Sequence, residues 1–139
     1  MVIGVGSDIA AVTRFGAWLS KSREQLNKIF TNAELDDCLN SDGQLLAEKL
    51  AVRFAAKEAF FKALSAACVS LQQTEKMFSF LFVCKNVQIK KSEWGTPYLE
   101  VDWDSIQHKL GSLVELSVHV SCSHERDHAI AFVVISRKN

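Results

Sequence analysis

The chain has 139 residues, 48% hydrophobic and 23% charged, which is too apolar for intrinsic disorder and a length that one core accommodates, so residues 1–139 are expected to form a single domain. Sixteen Lys+Arg balance sixteen Asp+Glu, and a formal net charge of zero gives no overall field to hold a polyanion, which counts against nucleic-acid binding. The four cysteines, Cys38, Cys68, Cys84 and Cys122, form no CxxC pair and no Cys/His cluster at metal-ligand spacing, and read as buried or idle thiols of a reducing compartment.

Met1 to Asp8 carries no basic region ahead of its apolar residues, and no apolar run approaches the length that spans a bilayer, so a soluble cytoplasmic protein is expected. Val2 to Ile9 is short and β-rich and reads as a strand whose end carries Asp8. From Val12 the apolar residues Val12, Phe15, Leu19 and Leu26 fall near helical spacing, which predicts a helix burying that stripe and presenting Arg14, Trp18, Lys21, Gln25 and Lys28 on its other face. Thr31-Asn32-Ala33-Glu34 has the spacing of a capping box and starts a short helix ending near Leu39. The longest helical signal runs from about Gln44 to Ala67, uninterrupted by Pro or Gly. Phe78 to Val83, Val87 to Ile89 and Tyr98 to Trp103 then read as strands, with Trp94-Gly95-Thr96-Pro97 as a turn, followed by a short helix over Asp104 to Leu110. Val114 to Ser121 and Ala129 to Ile135 form a closing hairpin whose bend, His124 to His128, is rich in polar groups. The sum is an α+β domain in which one long helix packs on an antiparallel sheet.

Arg53-Phe54-Ala55-Ala56-Lys57-Glu58-Ala59-Phe60-Phe61-Lys62 places four charges in an otherwise apolar helix. Arg53 with Lys57, and Glu58 with Lys62, share a helix face at a spacing of four, and taken alone read as solvated surface charges. The surrounding Phe and Ala residues argue for packing on several sides, where charges need partners. Glu58 offers a hard oxygen ligand for Mg²⁺, a cation that takes one or two protein carboxylates together with substrate phosphates, and Asp8 is the natural second carboxylate. Asp8 at a strand end reads equally well as a cap or turn residue. Lys62 would face the same phosphates as a point charge. Ser123 and His124, in Ser121-Cys122-Ser123-His124-Glu125, suit phosphate or nucleotide contacts, although such residues also occur in bends for solvation alone. Trp18 between Arg14 and Lys21 suits docking of an acidic partner helix.

Together these stretches resemble the holo-acyl-carrier-protein synthases, the small class of 4′-phosphopantetheinyl transferases. The likeness rests on Gly4-Val5-Gly6-Ser7-Asp8-Ile9 with Arg14-Phe15, on Arg53 to Phe60 with Lys62-Ala63-Leu64, on Gly95-Thr96-Pro97-Tyr98-Leu99, and on His119 to Glu125, in the family's order from end to end. The resemblance implies the 4′-phosphopantetheinyl transferase fold, a single half per chain. It also implies transfer of the phosphopantetheine arm of coenzyme A to a serine of apo acyl carrier protein, with release of adenosine 3′,5′-bisphosphate, in fatty acid biosynthesis. By that likeness Asp8 and Glu58 hold Mg²⁺, Lys62 steadies the transferring phosphate, and Glu58 or a metal-bound water deprotonates the serine. The likeness also implies that Arg53 and His124 contact coenzyme A at its 3′-phosphate end, with Ser123 a further binding residue, and that Arg14, Trp18 and Lys21 receive the carrier. One half per chain further implies a homotrimer with sites between subunits.

The chain departs from the family pattern at Val52, where glycine is frequent, at Ser65-Ala66-Ala67-Cys68 in place of a Gly-x-Gly, and at Gln44-Leu45 in place of a basic pair. These departures leave room for a coenzyme A- or carrier-binding module without catalysis, and a third reading is a metal-dependent phosphohydrolase. Retention of Asp8, Glu58 and Lys62 favours the transferase.

Overall fold

The computed structural model describes residues 1–73, 75, 78–111 and 114–138. Strand β1 (Val2–Ala11) pairs antiparallel with β5 (His128–Arg137), and β5 with β4 (Leu116–Glu125), giving the order β1-β5-β4. A second antiparallel pair joins β2 (Val87–Lys91) to β3 (Pro97–Val101). The 24-residue helix α4 (Ala47–Ser70) lies along β1 and β5, as expected for a long helix on an antiparallel sheet.

Small residues set how close helix and sheet come. A Cβ added at Gly4 or Gly6 would collide with the carbonyl oxygens of Ala63 and Ala59 on α4. The two backbones therefore touch here without intervening side chains, a placement only glycine permits. Side-chain alternation continues along β1, so that Ala10 also faces the helix while Val5 and Ile9 face away. On β5 the helix-facing set is Ala129, Ala131, Val133 and Ile135, all buried. Helix α4 has no polar stripe of ordinary width: from Leu50 to Cys68 its buried residues fall on most sides. Phe15, Trp18, Phe30 and Phe80 cover its first half, with Phe15 and Phe54 ring centroids 5.3 Å apart.

The structure departs from the sequence reading in four places. The segment from Val12 is not one helix but α1 (Val12–Gly16), a 3₁₀ turn (Ala17–Ser20) and α2 (Arg23–Leu26), the last restarted by a capping box at Ser22. That break rotates the faces: Trp18 turns inward against Phe15 and Phe54, and Leu19 is left 41% exposed. Phe78 to Val83 is not a strand; Ser79 caps α5 (Phe80–Asn86), accepting a hydrogen bond from the Phe82 N–H at 3.1 Å. Trp103 leaves β3 to open α6 (Trp103–Leu110), capped by Asp102. The final hairpin is tighter than expected, since β4 runs through Glu125 and only Arg126-Asp127 turn, with Arg126 at φ 46°. Ser121 to His124 therefore sit in ladder positions and not in a loop.

The remaining helix, α3 (Asn32–Asp37), begins at the expected capping box: Thr31 accepts from the Glu34 N–H, and the Glu34 carboxylate accepts from the Thr31 N–H at 2.9 Å. Among the described residues no helix is long and apolar enough to cross a membrane.

Candidate functional site

Asp8 lies two residues beyond Gly6 on the helix-facing side of β1, opposite Ala131 of β5. The close approach at Gly6 brings it to the flank of α4. There the Lys62 ammonium donates to Asp8 Oδ1 at 2.9 Å and to the Ser7 carbonyl at 3.0 Å. Lys62 thus pairs with Asp8 rather than with Glu58, its neighbour one turn earlier. Glu58 is half-buried, and among the described residues no cation forms an ion pair with it. Burial raises its pKa above the ordinary glutamate value, and the Asp8 charge raises it further, while Lys62 and Arg14 pull it down. Two carboxylates close enough to repel, one paired with a lysine and one held without a partner, form an oxygen donor set suited to a hard divalent cation. The donor chemistry fits Mg²⁺ held by Asp8 and Glu58.

Arg14 is part of this neighbourhood. Its guanidinium lies 4.6 Å from the Phe54 ring centroid and 5.8 Å from that of Trp18, and it acts on Glu58 through its charge. Lys21 stands 5.9 Å over the Trp18 ring. Arg14, Trp18 and Lys21 are therefore contiguous, as the sequence reading expected, but with Trp18 half-buried as their platform.

Arg53 and Lys57 are not the solvated charges that their spacing first indicated. Lys57 is fully buried and pairs with Glu34 Oε1 at 2.6 Å, also donating to the carbonyls of Ile29 at 2.6 Å and Cys84 at 3.0 Å. The Glu34 carboxylate accepts from the Ile89 N–H as well, so the pair ties α3, α4, α5 and β2 together. The sequence reading missed this pair; its signal was a capping-box glutamate shared with a lysine inside an alanine-rich helix. Arg53 is 5% exposed, donates to the Lys49 carbonyl at 3.2 Å, and meets Asp37 only at 3.7 Å.

Arg53, Ser123 and His124 come together at a cavity of about 200 Å³, which Val52, Ile89, Lys91, Gly95, Pro97 and Cys122 also line. Cys122 stands opposite Ala131, and Asp8 opposite Ala131 on the other side, so Asp8 and Cys122 share one helix-facing row across the sheet. Two strand spacings separate them by roughly 10 Å. Ser123 and His124 also line an open cleft of about 480 Å³ with Ile9 and Ile130. The structure thus gathers the six expected site residues into two groups: Asp8, Glu58 and Lys62 where β1 meets α4, and Arg53, Ser123 and His124 around the 200 Å³ cavity. The four thiols are free, and burial pushes Cys38 and Cys122 up to about 11 and Cys84 to about 12, which keeps them protonated.

A family model described as the 4′-phosphopantetheinyl transferase superfamily matches residues 4–133. The chain is 35% identical over 135 residues to the holo-[acyl-carrier-protein] synthase of Treponema pallidum, spanning 97% of this chain and 96% of that one. Among solved structures it resembles the acyl-carrier-protein synthase in the Chronobacterium ammoniagenes coenzyme A complex, with a TM-score of 0.76 at 24% identity over 98% of both chains, a likeness of fold. The Helicobacter pylori holo-[acyl-carrier-protein] synthase, solved in complex with coenzyme A, matches with a TM-score of 0.69 and 26% identity, over 95% of this chain and 99% of that one.

Proposed function

The chain belongs to the 4′-phosphopantetheinyl transferase superfamily as a holo-[acyl-carrier-protein] synthase, and from that premise we propose a Mg²⁺-dependent transfer that releases adenosine 3′,5′-bisphosphate. The enzyme moves the phosphopantetheine arm of coenzyme A to apo acyl carrier protein. The observation that carries the finer reading is the pair Asp8 and Glu58, electrostatically coupled across the β1–α4 contact beside Lys62.

In the reaction the carrier serine Oγ forms a bond to the phosphorus of the 4′-phosphate. The bond from that phosphorus to the bridging oxygen breaks, and the electron pair leaves on adenosine 3′,5′-bisphosphate. Asp8 and Glu58 would hold Mg²⁺, whose charge would neutralise the diphosphate and its leaving oxygen. Lys62, half exposed on its flexible stem, can leave Asp8 and follow the charge developing on the transferred phosphoryl oxygens. Glu58, half-buried and without an ion pair among the described residues, or a water beside it would take the serine proton. Arg53, Ser123 and His124 hold the nucleotide end, and the 200 Å³ cavity they line supports that role. Arg14, Trp18 and Lys21 receive the carrier, whose acidic helix would meet two cations on an aromatic base.

The assembly is proposed to be a homotrimer with sites between subunits. The sheet face turned away from α4 supports this: Val5 and Ile9 of β1 and Ile130 and Phe132 of β5 are each 47–65% exposed and adjoin in the ladder, an apolar surface that a second copy would cover. Ile9 and Ile130 also border the cleft of Ser123 and His124, so such a neighbour would close that cleft. We propose the cytoplasm as its compartment, a reading supported by coenzyme A and carrier as substrates.

Incubating the protein with coenzyme A, Mg²⁺ and apo carrier protein, then weighing the carrier, tests the reading. A carrier heavier by one phosphopantetheine, formed with Mg²⁺ and lost with chelator, is the expected result. Intact coenzyme A with unmodified carrier would indicate a binding module, and cleaved coenzyme A with unmodified carrier a hydrolase.

A further inference from the structure

The hairpin of β2 and β3 supplies a cation that neither the sequence reading nor the family assignment uses. Lys91, the last residue of β2, lines the 200 Å³ cavity with Arg53, Ser123 and His124, and it lines a neighbouring cavity of about 320 Å³ with Arg53, Asp37 and Lys90. Lys91 and Arg53 are thus common to both spaces. The two adjacent lysines differ in their partners. Lys90 is neutralised by Glu100 at 2.9 Å, whereas the Lys91 ammonium, among the described residues, has neither ion pair nor hydrogen bond.

Arg53 is similarly underused. It is 95% buried by the 5% exposure it retains, yet among the described residues its Nε–H has no acceptor, and its contact with Asp37 at 3.7 Å is too long for a hydrogen bond. A buried guanidinium donor without a partner costs stability, and such a group is commonly explained by a ligand that completes it. Among the described residues Asp37 is the one carboxylate lining these two cavities, and it is more than half exposed. Two cations and an imidazole against this one carboxylate, 3.7 Å from Arg53, leave a surplus of positive charge, walled by the apolar Val52, Ile89 and Pro97. That combination fits a phosphomonoester on a sugar, a compact dianion beside an apolar ring. It does not resemble the acidic flank at Asp8 and Glu58, which suits a diphosphate only together with a cation.

We infer that Lys91 is a binding residue for the 3′-phosphate of coenzyme A and sets the preference of this enzyme for coenzyme A over 3′-dephospho-coenzyme A. The inference rests on the transferase reading, and in it Lys91 contributes from a hairpin what Arg53 contributes from α4. Lys91 is exposed, and among the described residues its ammonium has no hydrogen bond or ion pair, so Lys91→Ala is expected to leave the protein folded, with a circular dichroism spectrum like that of wild type.

The test compares wild type, Lys91→Ala and Lys91→Arg in two measurements. In calorimetric titration with adenosine 3′,5′-bisphosphate, Lys91→Ala is expected to weaken binding roughly tenfold, with adenosine 5′-monophosphate unaffected and Lys91→Arg close to wild type. In carrier modification, the KM for coenzyme A rises by a similar factor at unchanged kcat, while the KM for 3′-dephospho-coenzyme A does not move. Equal effects on ligands with and without the 3′-phosphate, or no effect on either, would overturn the assignment of Lys91. Failure of the wild type to modify any carrier, with the bisphosphate still bound through Lys91, would instead remove the transferase reading and leave the phosphate site standing.

Discussion

Glu58 and Lys62, one helical turn apart, occupy opposite electrostatic circumstances: the lysine has a carboxylate at 2.9 Å and the glutamate, among the described residues, has no ion-pair partner. Because the Glu58 pKa in the fold lies above its unfolded value, ionised Glu58 opposes folding. That penalty is present above the folded pKa and disappears as the pH falls toward the unfolded value. Glu58→Gln should therefore raise the melting temperature of the metal-free protein at neutral pH while lowering transfer by at least about 100-fold, the scale of one acid–base group. A calorimetric melt and the carrier assay check both; a variant that keeps full activity removes Glu58 from the mechanism. At this scale the sequence singled out Asp8, Glu58 and Lys62 by their charge in apolar surroundings, although Asp8 stands inside β1 opposite Ala131 and not at the strand end that was expected. Lys57 was not legible, because its partner Glu34 is 23 positions away and already engaged in a capping box that looks complete without it.

At the scale of elements, the site depends on how closely β1 lies on α4. Gly6→Ala forces a methyl into the Ala59 carbonyl, backbone against backbone, and should destabilise the protein by about 3 kcal/mol, read as a lower urea midpoint. An unchanged midpoint would mean that the two elements are not in contact there. The segment after β1 shows what periodicity leaves out. Apolar spacing found a helix from Val12, yet Ser22 restarts the chain, and the resulting rotation buries Trp18 against Phe54 while Lys21 stays outside. Lys21→Glu should raise the KM for carrier about tenfold, a reversal of one charge in a complementary interface, with the KM for coenzyme A unchanged. The opposite pattern would move carrier docking elsewhere. The Phe78 to Val83 run was misread for a related reason: aromatic and β-branched residues favour strands on average, but Ser79 offers a cap, and Val83 and Cys84 bury on one side of the helix that follows. The long helix and the closing hairpin were legible because their patterns persist over many residues.

For the whole molecule, the sheet divides the protein into a helix-covered side and an open apolar side. Alternation along β1 and β5 fixes this division, since each residue facing α4 leaves its neighbour facing away. Phe132→Asp, in the middle of the open side, should reduce the mass found by light scattering to that of a monomer and abolish transfer, with the circular dichroism spectrum retained. An unchanged mass with full activity would contradict sites shared between copies. The two groups of site residues each join a strand to α4, Asp8 of β1 with Glu58 and Lys62, and Ser123 and His124 of β4 with Arg53, an arrangement that no linear reading could supply, because it follows from strand register. The central claim remains that Asp8 and Glu58 together grip one divalent cation. The most direct measurement is the anomalous diffraction of Mn²⁺ in crystals grown with coenzyme A: a single peak in contact with both carboxylates is the predicted result, and a peak bound by neither or by only one of them would contradict it.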